Sequence, residues 1–368
     1  MAILWAENFD YFGGDTNKLM NGLWAEVTDI GSTGGEMELS STSPRSGTHS
    51  LQLNGSGSSI GDAYARRVFG SALTTFGLGM VFYPVTLPQG NNIVILAQFR
   101  DANNAPQITV YLQTTGAIAV YRASSAGDPR DTLLGTSTVL ATANAWSHLE
   151  IRVVMSDTVG AVAIRLNETT ILDLTAIDTV ATSLVECSQV VVGYHTPASD
   201  AADLPTVRWD DMILWDTSSS YNNDFLGDHH IFTVFPNQDT AEADWIESAG
   251  SVGYTLIDDA TPDDATYIEA ANANDVSVFD LGDLSAEVSS IAAVITLPRM
   301  LKTAGGTSKV QVSMLAAGSP TAAADGADRA ITEAATYWPD VFQEDPGTAA
   351  PWSRESFNAA QIRVTRTA

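Results

Sequence analysis

The stretch from Trp146 to Leu174 constrains this chain most. Leu149, Ile151 and Val153 alternate with Glu150 and Arg152, the period-two pattern of a half-buried strand. Ser156 to Gly160 reads as a turn. Val162, Ile164 and Leu166 alternate again, with Arg165 directed the other way. Asn167-Glu168 predicts a tight hairpin turn, and Ile171, Leu172 and Leu174 close a three-stranded meander.

Strand-like runs continue on both sides. Phe76 to Val85, Ile93 to Arg100, Gln107 to Thr114, Gly116 to Arg122, Val190 to Tyr194 and Val207 to Trp215 all have strand length and strand composition. The Ser/Asn-rich run Thr217 to Asp224 then breaks the pattern. Beyond it, Val276 to Leu281, Ile291 to Leu297 and Val310 to Leu315 read as strands, Ala316 to Asp328 as loop, Ser356 to Gln361 as one short helix, and Ile362 to Val364 as a last strand. No sustained helical period and no internal repeat is present. The expected organisation is a first all-β domain over 1–218, a linker over 219–230 and a second, smaller β-sandwich over 231–368. A chain of 368 residues supports two such cores.

The balance of 17 basic against 44 acidic residues, a formal net charge of −27, argues against nucleic acid as a partner, because phosphate binding needs clustered Lys and Arg. Anionic membranes are disfavoured on the same ground, and the longest apolar runs are strand-sized, so no membrane insertion is expected. The N-terminus lacks a basic region and carries acidic residues early, so no signal peptide is expected. Cys187 is the one cysteine; beside Val190-Val191-Val192 it reads as a buried small hydrophobe.

The Trp-led strand, its Gly-containing turn and the following strand that ends in an Asn turn resemble the core of the concanavalin A-like, laminin-G-like jelly rolls. Glu7 to Tyr11 and Ser46 to Leu53 resemble early strands of that fold. The resemblance implies a sandwich that binds sugars or proteins, with some members cleaving polysaccharides. In the second half, Asn222-Asn223-Asp224-Phe225-Leu226-Gly227-Asp228, then Pro236-Asn237 and Trp245, resemble a signature of tailed-bacteriophage and prophage structural proteins. Asp345-Pro346-Gly347-Thr348, Pro351-Trp352-Ser353 and Gln361 belong to the same resemblance. It implies a virion component made in the host cytoplasm: a peripheral tail or fibre-type protein contacting proteins or the host surface, with capsid decoration as the alternative and a carbohydrate-binding or polysaccharide-degrading protein as the second alternative. The implied partners are other virion proteins, further copies of the chain, with a trimer favoured, and a host-surface glycan.

Catalytic constellations are hard to find. Glycoside hydrolysis needs two carboxylates about 5 to 10 Å apart, and the hydrolase branch of the jelly-roll superfamily carries them as Glu-x-Asp-x-x-Glu, which is absent. Glu36-Met37-Glu38 has the spacing but reads as a solvent-facing edge. Asp210 and Asp211 are expected on opposite faces of a strand. Gly-x-Ser-x-Gly is absent, and the histidines are scattered at 49, 148, 195, 229 and 230, with His229-His230 read as a surface pair. Asp258-Asp259 with Asp263-Asp264, and Asn222 to Asp228, are acidic enough to weigh for calcium but read as solvated loops. The expectation is therefore no enzyme, no cofactor and no metal. Sugars stack on exposed aromatic rings, and Trp24, Tyr64, Tyr121, Tyr194 and Trp215 are the candidate ligand contacts.

Overall fold

The structure is a computed structural model that describes residues 3–16, 23–28, 36–55, 63–90, 94–123, 130–194, 205–250, 252–261, 263–303, 305–316 and 318–368. The chain divides into two compact units, Met1–Ile231 and Phe232–Ala368.

The first unit is built from fifteen strands: β1 (Ile3–Glu7), β2 (Glu26–Val27), β3 (Glu36–Ser40), β4 (Ser50–Asn54), β5 (Ala63–Leu73), β6 (Thr75–Pro84), β7 (Val94–Arg100), β8 (Pro106–Leu112), β9 (Ala117–Arg122), β10 (Thr132–Leu140), β11 (Ser147–Val154), β12 (Gly160–Leu166), β13 (Thr169–Ile177), β14 (Cys187–Tyr194) and β15 (Val207–Asp216). An eight-stranded sheet runs β13-β12-β11-β6-β15-β4-β3, with β1 also pairing β15. A seven-stranded sheet runs β10-β9-β8-β7-β14-β5-β2. The non-sequential neighbours are those of a jelly-roll sandwich. The meander appears as expected: Leu149 pairs Leu166 and Ile151 pairs Ile164 across β11 and β12, and Asn167 and Glu168 turn the hairpin at φ 48° and 64°.

The inner faces meet where Phe76 of β6 lies edge-on to Phe99 of β7, ring centroids 4.9 Å apart. Leu78, Met80 and Phe82 continue one layer; Ile108, Val110 and Val190 continue the other, all buried. Each such side chain contributes about 1.5–3 kcal/mol by leaving water. Cys187 is buried as expected, its Sγ 3.6 Å from Met155 Sδ. One ion pair is also inside: Glu7 accepts from Phe9 N, Tyr11 OH, Trp24 Nε1 and Arg67 Nη1, and the Arg67 guanidinium lies 4.3 Å over the Trp5 ring.

Residues 219–230, expected as a linker, fall within the first unit. Leu226 N and Gly227 N donate to Glu150 Oε1 at 2.6 and 2.9 Å, and Ile231 N donates to Asp211 Oδ1 at 2.9 Å. This strap crosses the outward face of the eight-stranded sheet.

The second unit is also all-β. Strands Pro236–Ala243, Val276–Leu281, Gln361–Arg366, Lys309–Ala316 and Ser319–Asp325 lie in that order in a six-stranded sheet, and Arg329–Ala330 also pairs Lys309–Ala316. Ser319–Asp325 corrects the loop expected there; its short side chains carry no apolar alternation and gain their place by pairing Ser313–Ala316. Val310, Val312, Met314, Ile362 and Val364 form the packed face. Two-stranded ribbons (Val294–Thr296 with Asp340–Phe342, Arg299–Met300 with Thr336–Tyr337) and the short helix Arg354–Asn358 supply its second layer.

The signature residues of this unit are structural. Asp345 caps a turn through Gly347 N (2.8 Å) and Thr348 Oγ1 (3.1 Å). Trp352 is buried with its Nε1 donating to Phe342 O at 3.0 Å, Ser353 caps the helix in a capping box, and Gln361 donates to Asp280 at 2.7 Å.

Candidate functional site

Strand alternation decides which polar groups the sandwich can offer. With Phe99, Ile108, Val120 and Val190 turned inward, the seven-stranded sheet turns Gln98 and Arg100, Thr109 and Tyr111, Tyr121, and Gln189 and Val191 outward. Arg66 stands opposite Val191 and Glu26 opposite Arg66, so β5 and β2 add Tyr64, Arg66 and Glu26 to the same face. Two guanidinium groups, one carboxylate, three phenols and two carboxamides thus share one sheet face.

A hydrogen-bond ladder fixes them. Arg66 donates from Nε to Glu26 Oε2 at 2.8 Å and from Nη1 to Gln189 Oε1 at 2.9 Å. Tyr64 OH donates to Glu26 Oε1 at 3.1 Å. Arg100 donates from Nε to Gln98 Oε1 at 2.6 Å, and Gln98 Nε2 donates to Thr109 Oγ1 at 3.1 Å. The Arg100 guanidinium lies 5.4 Å from the Tyr64 ring centre, and Tyr111 meets Tyr121 edge-on at 5.6 Å. Gln98, Thr109, Tyr111, Gln189 and Arg100 are buried and form the floor; Tyr64, Arg66, Glu26 and Tyr121 are half-buried and form the accessible layer.

Electrostatics follow from that layering. Burial first, and the Glu26 carboxylate second, hold the Tyr64 phenol above its ordinary value, so it keeps its proton and acts as a donor. Burial lowers Arg100 from the usual guanidinium value, with Tyr64 opposing. Gly193, at φ 131°, sits in the β14–β7 bulge. A Cβ there would lie 2.4 Å from Ala63 O, so the backbone of β14 reaches the β5 edge only with glycine in place.

Of the five aromatic candidates, the structure brings Tyr64 and Tyr121 to this face. The other three are corrected. Trp24 is sealed in the interior, stacked on Phe9 with its Nε1 on Glu7. Tyr194 is fully buried opposite Val94 and Ala63. Trp215 is on the outward face of the other sheet, fully buried across Gly77. The polar members Glu26, Arg66, Gln98, Arg100, Thr109 and Gln189 escaped an aromatic search. Their signal was the polar alternation Tyr64/Arg66 and Gln98/Arg100 within otherwise apolar runs.

Other expectations also change. Asp210 and Asp211 do not diverge. A bulge between Asp210 and Ile213, with Asp211 at φ 46°, turns both carboxylates toward Arg45 and Ser46. Of the expected surface pair, His230 is exposed but His229 is half-buried against Gly79, while His195 lies outside the described residues. Three acids of the stretches weighed for calcium are engaged by arginine: Asp264 by Arg299, Asp224 by Arg152 and Asp228 by Arg45.

No family model matches the chain, and no curated protein matches it. Among solved structures, a cellulose-induced protein, Cip1, aligns at 17% identity and a TM-score of 0.42, over 57% of this chain and 96% of that one. An endo-β-1,4-glucuronan lyase from the fungus Trichoderma reesei aligns at 14% identity and a TM-score of 0.41, over 57% and 94%. Alginate lyase Aly36B aligns at 12% identity and a TM-score of 0.38, over 57% and 95%. Two of these aligned proteins are described as lyases, and the expectation of no enzyme is not kept. The physical ground of that expectation was also too narrow. A missing carboxylate pair speaks against glycoside hydrolysis and is silent on elimination.

Proposed function

We propose that the outward face of the seven-stranded sheet binds an acidic polysaccharide. The observation that supports this most directly is the placing of Arg66 and Arg100 beside Tyr64 and Tyr121, with a single carboxylate among them, in a chain whose net charge is −27. Two of the five Arg66 N–H donors are engaged by Glu26 and Gln189, which fixes the plane of the guanidinium. A planar, oriented guanidinium suits the two oxygens of a uronate carboxylate. The Tyr64 hydroxyl oxygen, its O–H donated to Glu26, and the Tyr121 ring supply an acceptor and an apolar surface for the sugar.

The same groups suit elimination. Arg66 would neutralise the uronate carboxylate, Glu26 would take the C5 proton, and Tyr64 would turn its O–H from Glu26 to the departing oxygen as the C4–O bond breaks and the C4=C5 bond forms; the proton on Glu26 then returns to Tyr64. The test is affinity electrophoresis of the full chain in gels containing polyuronates or neutral glucans, with the same mixtures followed for the absorbance of unsaturated uronate ends. Retardation by polyuronates alone, lost in Arg66→Ala, is the expected result. Equal behaviour in acidic and neutral gels removes the proposal. Growth of the unsaturated product adds cleavage to binding.

Assembly into a phage particle remains a proposal about where the chain works, supported by the signature in its second half. Immunogold labelling of particles tests it, with label on tail or head expected and unlabelled particles removing it.

A further inference from the structure

The outward face of the eight-stranded sheet carries buried charge, and residues 222–231 lie across it. His229 is the inserted side chain. Its ring takes the space a Cβ would fill at Gly79, with Cε1 2.7 Å from that position. Its Nδ1 is 3.0 Å from Gly227 O and its Nε2 is 2.9 Å from Asp211 O. Both partners are carbonyl oxygens, which only accept. A neutral imidazole offers one N–H and one lone pair, so one of these contacts would set lone pair against lone pair; the imidazolium donates to both.

We propose that the strap is a proton-operated latch, held on the sheet by a doubly protonated His229 and loosened when that ring loses a proton. The groups facing it come from every element packed there. Strand β11 presents His148, Glu150 and Arg152, β12 presents Arg165, and β15 presents Asp210 and Asp211. Arg45 reaches in before β4, Asp228 and His230 flank the ring on the strap itself, the β12–β13 turn brings the Glu168 carboxylate against Gly227, and β6 contributes the uncharged Gly79. Glu150, Asp211 and Asp228 favour a cation; Arg45, Arg152 and Arg165 oppose it, but each already has a partner. Arg45 is tied to Asp211 and Asp228, Arg152 to Asp224, and Arg165 lies 4.2 Å over the Phe225 ring.

His148 supports this assignment. It meets His229 edge-on, centroids 5.3 Å apart, and neither of its ring nitrogens has a hydrogen-bond partner among the described residues. Burial first and the neighbouring His229 second push it down to about 4, so the His148 ring stays neutral. Loss of the His229 proton leaves Gly227 O or Asp211 O without a donor, directly beside the two amides that Glu150 holds. Release turns residues 222–231 into free chain, reaching about 35 Å when fully extended.

The test uses the full chain labelled for NMR. The His229 ring nitrogens are read from about pH 6 to about pH 9, together with hydrogen-exchange protection of the Leu226, Gly227 and Ile231 amides corrected for intrinsic rate. The expected result is an imidazolium at the low end. Strap protection should fall about tenfold toward the high end, while Ile164 in β12 stays unchanged. His229→Gln cannot donate to both carbonyls and should show low protection at both ends. His230→Gln should follow the parent. Asp210→Asn should keep the pH response, which separates the latch from titration of that carboxyl. A single-proton His229 at the low end overturns the proposal. So does equal protection across the range, or loss of the response in Asp210→Asn alone.

Discussion

The two outward faces of the jelly roll have the same backbone geometry and opposite treatment. On the eight-stranded sheet, Glu150, Asp210 and Asp211 are fully buried; strap amides donate to Glu150 Oε1 and Asp211 and loop amides of Arg45 and Ser46 to Asp210, while Glu150 Oε2 has no hydrogen-bond partner among the described residues. On the seven-stranded sheet, Arg66, Glu26 and Tyr64 pair sideways and stay half-exposed. A buried carboxyl group is costly without hydrogen-bond partners, whereas an accessible charge needs only orientation. The first face is therefore covered by the chain's own strap, and the second, the face we propose for a ligand, keeps its charged groups accessible.

The sharpest way to break that contrast is to remove the carboxylate that holds the strap. Glu150→Ala leaves the Leu226 and Gly227 amides without an acceptor, each a loss of about 1–3 kcal/mol. The expected drop is about 2–4 kcal/mol in denaturant unfolding of the first unit. The matching change on the other face, Glu26→Ala, should cost no more than about 1 kcal/mol, because an exposed pair contributes little. Equal costs would mean that the two faces are not distinct in kind.

Packing gives the next contrast. A Cβ on Gly77 would lie 2.1 Å from the Trp215 ring, which is fully buried and has no room to swing. Gly77→Ala should cost about 1–3 kcal/mol and shift the Trp emission. Gly70, in β5 of the open sheet, has nothing within 4 Å of its Cβ position. Gly70→Ala should leave the melting temperature level or raise it slightly, by up to about 1 kcal/mol of stability.

Burial also gives the closed face a pH dependence. His148 in the folded chain is pushed down to about 4, mainly by burial, from the ordinary imidazole value of 6.5. Between those values the unfolded chain binds the extra proton and the folded chain does not. Stability is therefore complete above about 6.5 and is lost progressively as pH falls toward about 4. Asp210 works in the opposite sense, raised to about 8 by burial and then by Asp211, so the folded chain holds its proton longer and stability falls as pH rises toward that value. His148→Gln should remove the gain in stability between about 4 and about 6.5, and Asp210→Asn the opposing loss between about 4 and about 8. Identical profiles in parent and variants would remove both groups as the cause.

These contrasts also show what the sequence could express. The alternation of Leu149, Ile151 and Val153, and the Asn167-Glu168 turn, encode their strands because burial and turn conformation act residue by residue. The strap was read as a linker because it is held by backbone amides on Glu150 and by isolated side chains, which leave no periodic trace. Asp210 and Asp211 converge through a bulge, and a two-residue period cannot register an inserted residue. For the candidate site, ring chemistry alone could not separate Tyr64 and Tyr121 from Tyr194. The deciding fact is which alternate residue faces Phe76 across the sandwich, and that is a property of the paired sheets.

The smallest expected effect on stability is the one that best isolates the open face. Arg66 bonds only to Glu26 and Gln189 among the described residues, and its side chain is partly exposed. Its pairing is the kind that contributes about 0–1 kcal/mol, so Arg66→Ala should unfold almost with the parent. Its effect should appear in binding instead. Losing one oriented guanidinium from a polyuronate site should weaken affinity about tenfold, equivalent to about 1.4 kcal/mol, and flatten the salt dependence. Arg66→Lys keeps the charge but loses the planar fork, so it should recover the salt dependence without recovering the affinity. A variant that unfolds early and binds normally would place Arg66 with the closed face's structural charges. That outcome would remove the distinction between a face the chain has closed and one it presents.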